Sequence, residues 1–114
     1  MSKLGKLQTS VRLSIVNPKS ESSSVFGRGI ANLCEGVREK GSLNAAAKSM
    51  GMAYSKAWRI IKDTEDSLGV QLLIRDGAHG SVLTKEGSEL LDVYLSINDK
   101  LSKEALKLYE KLAK

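Results

Sequence analysis

The stretch GSLNAAAKSMGMAYSKAWRIIKDTEDSLGV, residues 41–70, decides the fold that this sequence predicts. A short helix is predicted over residues 43–50, with Ser42 as its N-cap, because a serine side chain there accepts a hydrogen bond from the first turn. Gly51 ends this helix. Apolar residues at helical spacing then predict a longer helix over residues 54–68. The stretch therefore predicts two helices joined by a tight turn.

Small residues in the first of these helices indicate how the pair packs. Two helices approach to about 8–10 Å only when the side chains between them allow it, and Ala46 and Ala47 satisfy that condition. Gly51 supplies the turn, where a left-handed backbone costs glycine least. This spacing is typical of a helix-turn-helix, although helical hairpins of other kinds can show it too.

The longer helix carries a polar, basic face opposite its apolar one. Arginine can make a bidentate contact to guanine in the major groove of DNA, and serine and lysine can reach bases or phosphates. A helix N-terminus directed at the duplex also favours phosphate. A basic face that meets only solvent is the alternative; after a helix-turn-helix, we interpret this face as DNA-binding. Its residues are Ser55, Lys56, Arg59 and Lys62.

The region before this stretch predicts a hairpin and one further helix. Apolar and polar residues alternate over residues 7–15, a period typical of a half-buried strand. The turn NPKSESSS then leads to a short return strand at residues 24–26, which gives an N-terminal hairpin within residues 7–27. A disordered arm is the alternative. A first helix ending at Gly41 completes a three-helix unit at residues 29–69.

The region after it predicts a second hairpin and a long last helix. Residues 70–83 predict a strand (VQLLIRD), a turn (GAHG) and a return strand (SVL). Thr84 is the N-cap of a helix over residues 84–113, along which one apolar stripe persists. Such a stripe can fold back on its own domain, but we expect it to pair with a second copy. The expected dimer residues are Leu90, Tyr94, Ile97, Leu101, Leu108 and Leu112.

The net charge of +5 lies in one part of the chain. From Thr84 to the C-terminus, the charges of six lysines and six acidic residues cancel, so residues 1–83 carry the whole excess of positive charge. A moderate positive charge fits an anionic partner, although alone it is weak support. We expect the partner to bind residues 1–83.

The composition argues against catalytic, metal and membrane functions. The single cysteine, Cys34, lies on the apolar face of the first helix, where a buried structural thiol is the expected role and a redox sensor the alternative. With one histidine, His79, and no paired acids near a glycine-rich loop, we find no arrangement for acid–base, nucleophilic or metal chemistry. No apolar run reaches the roughly 18 residues of a membrane span, and no signal peptide is evident. We expect a cytoplasmic protein that is not an enzyme and needs no cofactor.

The sequence resembles two related families. GSLNAAAKSMGMAYSKAWRIIKDTEDSLGVQLLIRD followed by LTKEG resembles the LysR-type winged helix-turn-helix. GMAYSKAW is similar to the N-terminal DNA-binding domain of the molybdate-responsive ModE regulators, in which a Ser-Tyr-x-x-Ala-Trp stretch opens the recognition helix and a hairpin precedes the first helix. The resemblance covers residues 7–95. It implies a mostly α fold with small β elements: a winged helix-turn-helix, an N-terminal β-hairpin and a long C-terminal dimerisation helix.

The resemblance also implies how DNA is bound, in the nucleoid of a prokaryote. The longer helix would enter the major groove, and the second hairpin would be a wing that contacts the backbone or the minor groove. Trp58 would be structural, wedged between helices. Ala53 departs from the family serine, and the lost cap costs about 0.5–2 kcal/mol. The implied DNA contacts are Tyr54, Ser55, Lys56 and Arg59 as readers, Ser42 on phosphate, Arg75 and His79 on the wing, and Lys85 beyond it.

Two points stay open in the sequence. A histidine such as His79, at the tip of the short wing, is more often an exposed turn residue than a specific reader. We expect no large effector-binding domain of the LysR or ModE kind, and molybdate sensing would rest on the family resemblance alone, so we expect no small-molecule ligand. The alternative function is a winged-helix module that docks a protein through the longer helix instead of DNA.

Overall fold

The structure is a computed structural model that describes residues 3–76 and 80–113, with only the backbone described at Asp76. Helices account for most of these residues, and one two-stranded antiparallel sheet accompanies them. The elements in chain order are a 3₁₀ helix at Lys3–Lys6, α1 at Arg28–Lys40, α2 at Leu43–Ser49, α3 at Tyr54–Leu68, β1 at Leu73–Asp76, β2 at Gly80–Leu83 and α4 at Lys85–Leu112. The predicted fold class is confirmed: a three-helix unit, a hairpin and a long C-terminal helix.

A single core of aliphatic and alanine side chains joins all four helices to the hairpin. Leu33 from α1, Leu43 from α2 and Ile61 from α3 are completely buried, as are Leu72 before β1 and Leu91 from α4. Phe26 and Tyr94 supply the aromatic part of the core. Burial of this apolar surface is the main force that fixes the arrangement of the elements.

The predicted helix boundaries follow from local signals. Gly41 ends α1 in the left-handed conformation at φ 76°, and its N–H donates to Val37 O at 2.8 Å. Ser42 Oγ accepts from Ala45 N at 3.0 Å, which confirms it as the N-cap of α2. The α2 helix ends at Ser49, one residue earlier than predicted, because Met50 already belongs to the turn. The bounds of α3 are those predicted.

The short α2 packs closely on α1 as well as on α3. A Cβ added to Gly36 would lie 2.6 Å from the Ala46 Cβ, so these two small residues bring the helices together. The sequence had assigned Ala46 to the contact between the two helices of the predicted helix-turn-helix. The structure adds the contact with α1, and this closeness holds the three helices as one unit.

The predicted wing is a hairpin of two four-residue strands. Its register pairs Leu73 with Leu83 and Arg75 with Ser81. The first strand begins at Leu73 rather than at residue 70, because the backbone N–H groups of Leu72 and Leu73 donate to the Glu65 carboxylate. Ser81 N also donates to Gly41 O at 3.1 Å, which ties β2 to the end of α1. The predicted tip residue His79 lies outside the described residues.

The start of α4 is locked to the segment before β1. Thr84 Oγ1 accepts from Gly87 N at 2.9 Å, which confirms the predicted cap, and Thr84 N donates to Leu72 O at 2.9 Å. A Cβ added to Gly87 would lie 2.3 Å from Leu72 O, a distance that no real Cβ tolerates. Glycine is therefore required at residue 87 by close approach of two backbones.

Gly87→Ala is expected to lower the free energy of unfolding by about 1–3 kcal/mol, as overpacking does in well-packed regions. The control is Gly29→Ala in α1, where an added Cβ meets nothing within 4 Å. That change is expected to be neutral or stabilising, because alanine is the better helix former. Urea denaturation of both variants measures the difference. Equal midpoints for the two variants would contradict the close approach.

The N-terminal region differs from the predicted hairpin. Instead of two paired strands, the described residues contain one antiparallel bridge, in which Ile15 and Phe26 exchange backbone hydrogen bonds of 2.9 Å each. The predicted turn does form, since Ser20 N donates to Asn17 O at 3.0 Å. The turn is held by α3: Asn17 Nδ2 donates to Ser67 O, and Ser67 Oγ donates to Ser24 O at 2.7 Å. Contacts with α3 thus replace the expected strand pairing.

The long α4 carries two apolar stripes instead of the single predicted one. Leu91 and Tyr94 face the domain core, where the Tyr94 and Phe26 rings meet edge to face at 5.5 Å. Tyr94, expected among the dimer residues, is therefore used inside its own domain. The second stripe is exposed or partly exposed and consists of Leu90, Val93, Ile97, Leu101, Leu108 and Leu112. Within residues 3–76 and 80–113, no helix is both long enough and apolar enough to cross a membrane.

Candidate nucleic-acid interface

The polar face of α3 is open to solvent over its whole length. Ser55, Lys56, Arg59 and Lys62 are all exposed, as the helical spacing predicts. The N-terminal half of the helix carries Ser55, Lys56 and Arg59 without an acidic neighbour, whereas Asp63 follows in the second half. The first turns of α3 therefore present donors and positive charge, which suit acceptor atoms on base edges and phosphates.

A groove of about 570 Å³ lies between α3 and β1. Three cationic side chains reach it, and no acidic residue lines it among the described residues. Its apolar surface comes from Trp58 and from strand residues, including Ile74, whose exposed fraction is 44%. The lining residues are Ser55, Trp58, Arg59, Lys62, Gln71, Leu73, Ile74 and Arg75. The groove thus joins the basic face of α3 to the predicted wing.

Trp58 lies at this groove, which differs from its expected place between helices. Its ring is half-buried and packs against the edge of the core, with the Tyr54 ring edge-on at 6.3 Å between centroids. The indole Nε1 is buried and has no hydrogen-bond partner within the described residues. Position 58 lies about 100° around the helix from Ala57, so the ring points sideways toward β1. The side chain therefore lies between α3 and β1.

Two cations lie against the Trp58 ring. Lys62 Nζ is 5.9 Å and Arg75 Cζ is 5.2 Å from the ring centroid, distances at which the electron-rich ring face attracts a positive charge. Lys62 comes from the same helix, one turn later, and Arg75 comes from β1. The ring therefore orders two cations that belong to different elements.

Glu65 is the important residue that sequence reasoning assigned no role. It is only 7% exposed, and its Oε2 accepts from Leu72 N at 2.7 Å and from Leu73 N at 3.1 Å. Its Oε1 is 3.5 Å from Lys62 Nζ. The carboxylate thus fixes the first residue of β1 against α3. The helical spacing did signal a buried position for this acid, since Glu65 comes one turn after Ile61 on the inward side of α3.

Three of the other predicted contact residues lie at helix starts: Ser42 at α2, Tyr54 at α3 and Lys85 at α4. Tyr54 is 39% exposed at the first turn of α3. Ala53, the N-cap, makes no side-chain cap hydrogen bond, so the departure from serine leaves the first N–H groups of α3 without that acceptor. Ser42 is occupied as the cap of α2, although its hydroxyl proton can still be donated. Lys85 is exposed at the start of α4, and His79 lies outside the described residues.

Cys34 lies away from this face and is buried in the core, as expected. The pKa of the thiol is raised from 9.0 to about 12, mainly by burial and also by the Glu65 carboxylate, while the Arg38 guanidinium acts to lower it. The neutral thiol therefore prevails at physiological pH, and this form is a poor nucleophile. Among the described residues, no group of three His, Cys, Asp or Glu side chains could hold a metal ion.

Comparison with known proteins places this architecture among bacterial regulators. Residues 32–88, half of the chain, match the family described as bacterial regulatory helix-turn-helix protein, lysR family. The match runs from within α1 to the first turn of α4. A similar protein is the uncharacterized HTH-type transcriptional regulator YoaU of Bacillus subtilis (strain 168), with 42% identity over 55 residues. The aligned part is 48% of this chain and 19% of YoaU, so the chain spans about a fifth of that relative.

Proposed function

This chain belongs to the LysR family of bacterial regulatory helix-turn-helix proteins, and from that premise we propose that it is a sequence-specific DNA-binding transcription regulator. The observation that carries the proposal is the exposed basic face of α3. A recognition helix reads bases through residues near its N-terminus, and here those positions are Tyr54, Ser55, Lys56 and Arg59. Arg59 is the principal base reader, because its guanidinium can contact guanine O6 and N7 together.

The wing and the flanking elements contact the DNA backbone in this proposal. Arg75 lies on β1 beside α3, and Lys85 begins α4 just after the hairpin. Both charges suit phosphate, which positions a protein on the duplex without reading its sequence. The remaining proposed contacts are Ser42, the N-cap of α2, and His79, which the sequence predicts at the wing tip.

The opening of α3 supports a ModE-like recognition helix within this family. Tyr54, Ala57 and Trp58 occupy the positions that the resemblance assigns to them. Molybdate binding is not part of the proposal, because it would rest on the name of the related family and on no residue of this chain. The proposed partner is double-stranded DNA of the bacterial nucleoid.

The second stripe of α4 supports a homodimer. Ile97, Leu101 and Leu108 are 39–46% exposed, and Leu112 is 77% exposed, so the described chain leaves an apolar seam uncovered. A seam of this kind is suited to packing against the same helix of a second copy around a two-fold axis. Two recognition helices would then reach half-sites about 34–36 Å apart. The operator would be palindromic.

Leu101→Asp is expected to convert the dimer to a monomer, because it places a charge in the middle of the seam. The matched control is Leu106→Asp: Leu106 is 39% exposed, close to the 43% of Leu101, but lies on the opposite side of α4. Light scattering after size exclusion gives the mass of each variant. A monomeric wild-type protein, or equal behaviour of both variants, would contradict the proposed seam.

Fluorescence anisotropy tests the DNA-binding proposal directly. A labelled duplex from upstream of the protein's own gene is titrated against a shuffled duplex at several salt concentrations. We expect tighter binding to the native duplex and a steep loss of affinity as salt rises, since phosphate contacts release counterions. Weak binding to both duplexes with no salt dependence would instead favour a helix α3 that docks a protein, and selection from random duplexes would separate that result from a wrong choice of site.

A further inference from the structure

We propose that the groove between α3 and β1 holds the sugar–phosphate backbone of DNA, and that Trp58 is a positioning residue that presents Lys62 and Arg75 to it. This inference rests on the proposed function and adds to it a specific backbone site. It also gives Trp58, which sequence reasoning treated as structural, a part in DNA affinity. The groove, and not the exposed helix face alone, would then set how deeply α3 enters the major groove.

The positive charge of the groove is the first observation that supports a site for the DNA backbone. Arg59, Lys62 and Arg75 are its charged lining residues, and no described acidic residue lines it. Glu65 lies next to Lys62, at 3.5 Å, but its other oxygen is already held by two backbone N–H groups, and the side chain is buried behind the groove. The field at the groove is therefore positive, which matches the phosphates of a nucleic acid strand.

The apolar floor of the groove carries the second step. A DNA backbone alternates charged phosphates with deoxyribose rings, whose carbon atoms are apolar. Here Ile74, at 44% exposure, and the half-buried Trp58 ring line the groove together with the cations. A sugar ring can cover these side chains while its flanking phosphates meet Lys62 and Arg75. A groove that bound phosphate alone would need no apolar floor.

The arrangement of the two cations on one ring carries the third step. Lysine and arginine side chains are long, and fixing them on binding costs conformational entropy. Contact with the Trp58 ring at 5.9 Å and 5.2 Å restricts both before DNA arrives. Because Lys62 is on α3 and Arg75 is on β1, the ring also sets the spacing between two backbone contacts from different elements.

The test compares Trp58→Leu with Trp58→Phe, which removes the indole but keeps an aromatic face. The slope of log affinity against log salt concentration falls by about 1 for each phosphate contact that is lost. We expect Lys62→Ala and Arg75→Ala each to lower the slope by about 1, and Trp58→Leu to lower it although no charge has been removed. Trp58→Phe should retain most of the slope. Lys100→Ala, an exposed lysine on α4, is the control for loss of charge alone.

A second readout does not depend on a substitution at residue 58. Trp58 is the single tryptophan of the chain, so its fluorescence reports on this groove. Binding of a duplex should reduce quenching of the wild-type protein by acrylamide. This measurement decides the inference if Trp58→Leu does not fold, as judged by circular dichroism.

The two levels of the proposal fail differently. Absence of salt-dependent DNA binding by the wild-type protein would overturn the proposed function and this inference together. Specific DNA binding with an unchanged slope in folded Trp58→Leu, or with unchanged acrylamide quenching, would overturn the inference and leave the proposed function intact. A full effect of Arg75→Ala in the Trp58→Leu background would also contradict the positioning role.

Discussion

Arg59→Ala is expected to weaken binding to the specific duplex by about 1–3 kcal/mol and to relax the preference at one base pair. The guanidinium is exposed on the middle of the α3 face, beside Ser55 and at the edge of the groove. No ion pair or side-chain hydrogen bond engages it within the described chain. Its removal should therefore leave the stability of the fold unchanged, and the loss should appear in DNA binding alone.

Lys62→Ala is the natural comparison for Arg59→Ala. Lys62 lies one turn further along α3, where its contacts are to the Trp58 ring and the Glu65 carboxylate. Its loss should weaken binding to all duplexes by a similar factor, because phosphate contacts carry no sequence information. Anisotropy titrations with the selected duplex and with single-base variants measure both effects. If Arg59→Ala lowered affinity equally for every duplex, Arg59 would be a backbone contact and another residue would be the reader.

Sequence reasoning predicted the helix-turn-helix well because its signals are local. Gly41 and Gly69 end α1 and α3 in the left-handed conformation, at φ 76° and 72°, and both positions were evident as glycines after apolar helical repeats. Ser42 and Thr84 act as caps on groups three residues away. Such features depend on a few consecutive residues, so the sequence contains all the information they need.

The direction of Trp58 and the role of Glu65 depend on contacts that the local sequence does not encode. Both residues lie on the side of α3 that faces β1, and that side becomes a groove only when the hairpin folds back against the helix. Before the position of β1 is known, Trp58 at the border of the apolar face is expected in the core. In the structure, the same border position places the ring beside Arg75, with 5.2 Å between Arg75 Cζ and the ring centroid.

The N-terminal region and α4 each have a feature that the periodicity of the sequence does not predict. Alternation over residues 7–15 predicts which side chains are half-buried, but it does not supply a partner strand, and the turn is held by Ser67 of α3. In α4, a spacing of three and four residues fits two neighbouring stripes equally well. Tyr94 belongs to the stripe buried against Phe26, whereas Ile97 belongs to the exposed one. Only the packed domain separates them.

Glu65→Ala is expected to lower the free energy of unfolding by about 2–6 kcal/mol. The substitution removes the acceptor for Leu72 N and Leu73 N, two hydrogen bonds to a charged group of 2.7 Å and 3.1 Å. Each buried donor left without a partner costs about 1–3 kcal/mol. The cavity left by the side chain adds to the loss, because Leu72 and Leu73 are fully or almost fully buried around it.

A series at this position separates hydrogen bonding from charge. Glu65→Gln keeps a carbonyl oxygen that can accept from both N–H groups, so it should lower the free energy of unfolding less than Glu65→Ala does. Asp66→Ala is the matched control, since Asp66 is the next acidic residue and is exposed. Urea denaturation gives the order of stability, with Glu65→Ala lowest and Asp66→Ala close to wild type. Equal stability of the alanine variants at residues 65 and 66 would contradict the conclusion that Glu65 holds the start of β1 against α3.

The same series has a consequence for DNA binding that stability alone does not produce. Glu65 joins the inward side of α3 to the first residue of β1, so it sets the distance across the groove that contains Trp58 and Arg75. In Glu65→Gln, the hydrogen bonds that hold the start of β1 against α3 are weakened. Arg75 should therefore lose its fixed position against the Trp58 ring, while Arg59 keeps its place on α3. Affinity should then fall with little change in base preference. If a folded Glu65→Gln variant lost base preference instead, Glu65 would position the base-reading residues of α3 rather than the backbone contact at Arg75.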